Sequence, residues 1–311
     1  MLTAMNKLLI AGVNGFIGTF LYKKLKLSCL ITGLDYGHNS IVDDYFPVDL
    51  TQDSEVQKFV ENSPKFDTLI FLVGLAHKKG KGQELDEFRR VNKQTLVNLL
   101  SILEEEKKLP DKIIFASTIS VYGEKMNQYI YNEDSKKNPF SPYAVTKLES
   151  EEYLLENYID NSWILRFAPV YASNFQLNIN RRTKAGGQYY KVGGGLKKLS
   201  LCNLENIGET LQGILEDKVP AGLYNISDEK EYSYSDLLNY VKAKWTVPIP
   251  YFMVQGLYYI GIIMNNIFLK ENVTKLISDN IFPSDKIRKY ISLNASLNDR
   301  NSKITNNDQT V

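Results

Sequence analysis

The chain is predicted to be an α/β protein: a doubly wound parallel sheet followed by a smaller C-terminal domain. Three observations predict it. A glycine turn, Gly12 to Gly18, follows the apolar run Leu8-Leu9-Ile10-Ala11 directly. Short apolar runs alternate with helical periodicities over residues 7–172. Later, Tyr143 and Lys147 stand one helical turn apart, after the segment Ser117-Thr118-Ile119-Ser120-Val121-Tyr122-Gly123.

Taken in order, Lys7–Ala11 reads as a buried parallel strand, because its apolar run is continuous rather than alternating. Residues 16–27 carry helical periodicity, and Cys29–Asp35 and Tyr45–Asp49 read as the second and third strands. Ser54–Asn62 is a helix, Thr68–Val73 a fourth strand and Glu84–Leu109 a long helix. Lys112–Ala116 is the fifth strand, the helix carrying Tyr143 and Lys147 follows, and Trp163–Phe167 is the sixth. This is the order of a Rossmann-type sheet. Beyond Tyr171 the pattern loosens, with glycines clustered at 186–187 and 193–195. Gly222–Ile226 looks like a late strand returning to the first sheet, and residues 233–297 read as further helices. The expected domains are therefore 1–172 with a returning segment at 200–228, then 173–199 together with 229–298. A polar tail at 299–311 is expected to be disordered.

Composition narrows the class. A hydrophobic content of 43% and a charged content of 23% fit a folded globular chain. A net charge of +1 supplies no global field to gather nucleic acid or an anionic membrane. Cys29, Cys202, His38 and His77 show no metal-ligand spacing, so neither a disulfide framework nor a metal site is expected, and a reducing cytoplasm fits. His77 is expected to be structural, and the loop Lys78–Gly82 to face solvent. No signal peptide is expected, since the first apolar run enters a glycine turn, and Met5 could be the start. One segment stands apart. From Trp245 to Leu269 no residue is charged, and residues 249–269 nearly reach bilayer length. Gln255, Asn265 and Asn266 favour a buried or interfacial helix there, with membrane contact as the other reading.

Each motif carries a chemistry. Glycines where a first strand meets a first helix permit a tight turn, close approach of backbone to a diphosphate, and helix N–H groups facing phosphate. The spacing here is G-x-x-G-x-x-G, at Gly12, Gly15 and Gly18. Asp35 ends the second strand, where a carboxylate can accept both ribose hydroxyls of adenosine and repel a 2′-phosphate, which selects NAD over NADP. Asp49 can accept from the adenine amino group or cap the next helix. A phenol titrates near pH ~10, and a neighbouring ammonium stabilises its phenolate, bringing it toward the working range. Ser141-Pro142 reads as an N-cap followed by proline at the first helical position.

Together, G-V-N-G-F-I-G at 12–18, L-D at 34–35, V-G-L-A-H at 73–77, V-N at 91–92, S-T-I-S-V-Y-G at 117–123, Y-A-V-T-K at 143–147 and L-R-F-A-P-V-Y at 165–171 resemble the extended short-chain dehydrogenase/reductases, specifically their nucleotide-sugar epimerase/dehydratase group. The likeness is strong over residues 7–172 and weaker over 173–297, where that family's substrate-binding domain varies. It implies NAD as cofactor and a nucleoside-diphosphate sugar as substrate, held between the domains. It further implies Tyr143 as acid/base, Lys147 on the nicotinamide ribose, and Thr118 hydrogen-bonded to the reacting sugar oxygen, with Ser120 assisting Thr118 or merely steadying its loop. The implied cofactor contacts are Gly12, Asn14, Gly15, Phe16, Ile17, Gly18, Asp35, Asp49, Leu50, Val73, Gly74, Leu75, Asn92, Pro169 and Val170, besides Tyr143 and Lys147. A homodimer is usual in the family.

Departures from the family pattern restrict the chemistry. Its dehydratases place Asp-Glu after the threonine, whereas this chain has Ile119 and Ser120, so 4,6-dehydration is not expected. Residues 200–206 also depart from the family's usual substrate-side stretch. Arg181, Arg182, Lys184, Lys197 and Lys198 lie where a substrate diphosphate could be clamped, one or two of them at most. The expected reaction is 4-epimerisation through a 4-keto intermediate. A 4-ketoreductase working on a nucleotide-linked deoxy sugar is the alternative, and a non-catalytic NAD-binding scaffold a further one.

Overall fold

The structure, a computed structural model, describes residues 5–76, 85–123 and 130–297. The expected tail at 299–311, the Lys78–Gly82 loop, His77 and residues 1–4 lie outside the described residues. In chain order the elements are β1 (Asn6–Ala11), α1 (Phe16–Leu25), β2 (Cys29–Asp35), β3 (Asp44–Pro47), α2 (Asp53–Asn62), β4 (Thr68–Phe71), α3 (Leu85–Arg89), α4 (Thr95–Glu105), β5 (Lys112–Thr118), α5 (Pro142–Asn157) and β6 (Ser162–Phe167). They continue as β7 (Val170–Tyr171), α6 (Leu177–Thr183), β8 (Lys184–Ala185), β9 (Gln188–Val192), β10 (Lys198–Leu199), β11 (Cys202–Asn203), α7 (Leu204–Leu215), β12 (Gly222–Ile226), β13 (Tyr232–Ser233), α8 (Tyr234–Tyr240), β14 (Val247–Ile249), α9 (Tyr251–Ile263), α10 (Ile267–Ile277) and α11 (Asp285–Arg288).

A seven-stranded sheet runs in the order β12-β6-β5-β4-β1-β2-β3, the doubly wound, Rossmann-type arrangement that the alternation predicted. β1 lies parallel to both β2 and β4, with Leu8 opposite Ile31 on one side and Thr68 on the other. Leu8, Leu9, Ile10 and Ala11 are all buried, as a strand covered on both faces must be, which explains why its sequence does not alternate. Leu9, Leu34, Leu69, Phe71, Ile113 and Phe115 share one core with Leu96, Leu99, Leu100 and Leu103 of α4.

Two elements differ from expectation. The fourth strand ends at Phe71, so Leu72 to Leu75 leave the ladder as a loop rather than continuing it to Val73. The expected long helix is α3 and α4 joined by a π-helical turn at Arg90–Gln94, a widening often found at functional sites. Within that turn the Asn92 carbonyl accepts a hydrogen bond from Ser150 Oγ at 3.1 Å.

The chain separates into two compact units, whose limits differ from the domains expected. The first takes in residues up to Val121, Ser141–Arg166 and Pro220–Leu223; the second takes in Tyr122–Phe140, Phe167–Val219 and the chain from Tyr224 onward. Tyr122–Phe140 belongs to the second because Tyr122 and Tyr131 pack on Phe282, with ring centroids 5.8 and 5.0 Å away, and Tyr122 OH donates to Asn225 Oδ1 at 2.6 Å. The second unit is made of short pairs, β10 with β13, β11 with β7, and β14 with β9 and β8. Buried Asp228 joins several of them. It accepts from Asn203 N, Asn206 Nδ2, Tyr171 OH and Tyr232 OH at 2.7–2.9 Å, which satisfies a carboxylate that could not otherwise be held out of water. The uncharged stretch is divided among β14, α9 and the start of α10. Among the described residues, no helix is long and apolar enough to cross a membrane.

Candidate active site

The C-terminal ends of β1, β2, β4 and β5 and the start of α5 bring most of the expected residues into the first unit. Gly12 takes φ +85°, a left-handed conformation open to glycine, and its N–H donates to Leu34 O at 2.8 Å. Gly18 permits the close packing of α1 on this turn, since a Cβ there would stand 2.5 Å from Gly12 O and 2.6 Å from Val13 Cα. The first helical residues, Phe16 and Ile17, follow Gly15 directly, so the N-terminus of α1 opens onto the turn.

At the end of β2, Asp35 Oδ2 accepts from Asn14 N at 3.0 Å and Oδ1 from Tyr36 N at 2.8 Å. Asn14 Nδ2 donates to Asn39 O and to Tyr45 OH, and Tyr45 OH in turn donates to the carbonyls of Asp35 and Gly37. Tyr45 thus steadies the loop beyond the carboxylate, a role that no periodicity in the sequence marks. Asp49 Oδ1 accepts from Thr51 N and Thr51 Oγ1 at 2.9 and 2.7 Å, closing a turn before α2, while the Leu50 side chain is buried in the core.

Asn92 holds the loop after β4. Its Oδ1 accepts from Leu75 N at 2.6 Å, and its Nδ2 donates to Leu75 O at 3.3 Å and to Thr146 Oγ1 at 2.9 Å. Fully buried, it ties that loop to α5. A Cβ at Gly74 would stand 3.3 Å from the Lys147 Nζ, so a side chain there would press on the lysine.

α5 begins at Ser141, whose hydroxyl accepts from Ala144 N at 3.3 Å, with Pro142 at the first helical position as the sequence indicated. This start sets the direction of Tyr143 and Lys147. The Thr118 side chain lies close enough to the Tyr143 phenol to influence its titration, and Thr118 Oγ1 accepts from Ser120 N at 3.2 Å. Desolvation in the dense packing around the phenol pushes its pKa up to about 12, and the neighbouring Thr118 side chain opposes that rise. Lys147 is 2% exposed. Its Nζ donates to Val73 O at 3.1 Å and Ala116 O at 2.9 Å, and lies 4.5 Å from the centre of the Phe115 ring. Burial lowers its pKa to about 7, and the charge of Glu151 opposes the fall.

Glu151, one turn further along α5, is a residue that the sequence reading missed. It accepts from Ser117 Oγ and pairs with Arg166, whose Nε and Nη2 lie 3.0 and 2.6 Å from Glu151 Oε1 and Oε2. Both charges are fully buried. Its spacing from Lys147 was the available signal, since i and i+4 share a helix face.

The remaining expected residues lie in the second unit. The Pro169 and Val170 carbonyls accept from Cys202 N and Asn178 Nδ2. Arg182 Nη1 donates to Asn178 O at 2.9 Å, Lys197 pairs with Asp279 at 3.0 Å, and Arg181 stands exposed on α6.

Residues 8–206 match the family described as NAD dependent epimerase/dehydratase. The chain belongs to that family. It is accordingly an enzyme, and NAD is its cofactor. The turn at Gly12–Gly18, too tight for a side chain at Gly18, and the Asp35 carboxylate at the end of β2 fit that dinucleotide. The N-acetyl-alpha-D-glucosaminyl-diphospho-ditrans,octacis-undecaprenol 4-epimerase of Escherichia coli O157:H7 is 27% identical over 257 residues, 79% of this chain and 74% of that protein. The fold resembles that of UDP-glucuronic acid 4-epimerase from Bacillus cereus in complex with NAD, with a TM-score of 0.69 and 20% identity over 94% of this chain and 92% of that one. WbmG of Bordetella bronchiseptica in complex with NAD and UDP gives a TM-score of 0.69 and 16% identity, covering 94% and 90%.

The Asp35→Ala substitution should weaken NAD binding by roughly tenfold or more, the value of a hydrogen bond to a charged group, and narrow the preference over NADP. Fluorescence titration with both dinucleotides checks it. Unchanged affinities for both would remove the ribose role.

Proposed function

We propose that this protein is an NAD-dependent 4-epimerase of a sugar carried on a diphosphate, working through a 4-keto intermediate. The observation that carries the reading is the placing of Thr118 beside the Tyr143 phenol, one helical turn from the buried Lys147. The Tyr143 oxygen takes the proton of the C4 hydroxyl, and Thr118 orients that hydroxyl. Bound NAD supplies the hydride acceptor and then the donor at C4, together with a positive charge. In the protein alone the phenol keeps its proton at neutral pH, because burial holds its pKa at about 12. Lys147 is poised near neutrality and can add positive charge when it takes a proton. The same phenol then returns its proton to the oxygen as the ketone is reduced from its other face. Asn92 keeps the loop after β4 against α5, so the lysine meets a fixed carbonyl at Val73. Ile119 and Ser120 supply no carboxylates after Thr118, which supports a reading without 4,6-dehydration.

The carrier is a nucleoside diphosphate in UDP-glucuronic acid 4-epimerase, and the name of the E. coli relative makes it diphospho-undecaprenol. Our reading takes a nucleoside-diphosphate sugar as the substrate to test first. Purified protein given candidate UDP-sugars, with and without NAD(P)H, should form the C4 isomer with no net oxidation of cofactor. Stoichiometric NAD(P)H oxidation with a 4-keto sugar would instead establish a ketoreductase. NAD binding without turnover of either substrate would leave a scaffold.

A further inference from the structure

The hairpin formed by α9 and α10 in the second unit presents an apolar surface that the described residues do not cover. Phe252, Met253, Tyr259, Ile260, Ile263 and Met264 are exposed, Phe252 at 73% and Ile263 at 83%. Only Val254 and Gly261 of α9 are buried, and Val254 packs on Val273 and Ile277 of α10. Apolar side chains therefore point outward on more than the face that α10 occupies. Contiguous patches of this kind mark an interaction site rather than ordinary surface.

Two features identify the partner. The first is length and polarity. No residue from Trp245 to Leu269 is charged, and the 13 residues of α9 extend about 20 Å, too short for the ~30 Å hydrocarbon core but enough to lie within its boundary. Trp245 and Tyr259 are both exposed, and their rings combine an apolar body with a polar tip, the chemistry favoured at headgroup depth.

The second feature is charge. Residues 176–200 contain six basic residues and no acidic one, and residues 237–270 contain three lysines and no acidic one. The fold brings these segments together: β14, which leads into α9, pairs with β9 so that Lys191 stands opposite Pro248, and Lys184 lies on the neighbouring β8. Lys197 and Lys198 are answered by Asp279 and Glu231. Lys184 and Lys191 thus bring positive charge to the strands beside the start of α9. A second copy of the chain could cover the apolar side chains but would set like charges against each other, whereas an anionic lipid surface satisfies both features.

We propose that α9 and the turn after it dock this protein onto an anionic phospholipid bilayer. The apolar side chains enter the boundary between headgroups and acyl chains, and Lys184 and Lys191 meet lipid phosphates. The enzyme then works where a sugar diphosphate held by a lipid would be found, a consequence that rests on the catalytic reading above.

The test is co-sedimentation of the full chain with vesicles of phosphatidylglycerol and phosphatidylethanolamine, compared with phosphatidylcholine alone. No substrate is present, so failure of the catalytic reading leaves the result unaffected; turnover of a soluble UDP-sugar without vesicles reports that reading separately. Wild type should sediment with the anionic vesicles, more than with phosphatidylcholine, and less as salt rises. The double variant Phe252→Glu/Ile263→Glu should lose at least about tenfold in partitioning, since each side chain forfeits its apolar transfer and adds a charge, while its NAD affinity stays that of wild type and shows it folded. Wild type left in the supernatant would overturn the proposal, as would equal binding to both compositions or a double variant that sediments like wild type. A dimer that the double variant converts to monomer, with no vesicle binding by either, would assign the surface to a second copy instead.

Discussion

Tyr143→Phe should lower turnover by roughly 10²–10⁴-fold, the usual contribution of one positioned acid/base, while the NAD dissociation constant changes little. The two consequences separate because the proposed mechanism routes the proton through the phenol oxygen on α5, whereas the Gly12–Gly18 turn and Asp35 stand at the ends of β1 and β2. Phenylalanine preserves the ring's packing and removes only the hydroxyl beside Thr118, so stability should fall by no more than about 1 kcal/mol. Single-turnover assays with whichever UDP-sugar the wild type epimerises, set beside fluorescence titration with NAD, check both parts. Activity retained within a few-fold of wild type would show that the proton travels through another group.

Arg166→Met should be the most destabilising of the substitutions considered, by about 3–5 kcal/mol in denaturant unfolding, because it leaves the Glu151 carboxylate buried without its cation. Ser117 Oγ would remain as a partner, which is too little for an ionised carboxylate out of water. Glu151 would then be driven toward its protonated form, and the charge that opposes the fall in the Lys147 pKa would be lost. If Arg166→Met does not fold, the double variant Arg166→Met/Glu151→Leu separates the causes. It exchanges the pair for apolar side chains and should recover most of the loss. A single variant within about 1 kcal/mol of wild type would mean that the pair is not the enclosed ion pair described.

The succession of buried strands along the chain and the dinucleotide turn were legible because both depend on local rules. A strand covered on two faces must be apolar throughout, and a turn that brings a helix against Gly12 must have glycine at 18. Tyr143 and Lys147 were legible for a similar reason, since their shared face follows from helical spacing.

Other features depend on residues far apart in sequence. The role of Asn92 as a clamp on Leu75 exists only because a π turn and α5 meet at the loop after β4. Glu151 and Arg166, fifteen positions apart, become partners because α5 packs beside β5 and β6. Tyr45 lies beside Asp35 because β2 and β3 pair in parallel.

Sequence alone thus determined the sheet, the glycine cradle and the tyrosine–lysine helix, since hydrophobic period, backbone sterics and helical spacing act over a few residues. Tertiary structure decided the electrostatics and the surfaces. It placed Lys147 against the carbonyls of Val73 and Ala116, lowered its pKa by burial, and turned the uncharged stretch after Trp245 into a helix hairpin with its apolar side chains exposed. Desolvation and exposure are set by what packs against a residue, and those neighbours come from distant parts of the chain.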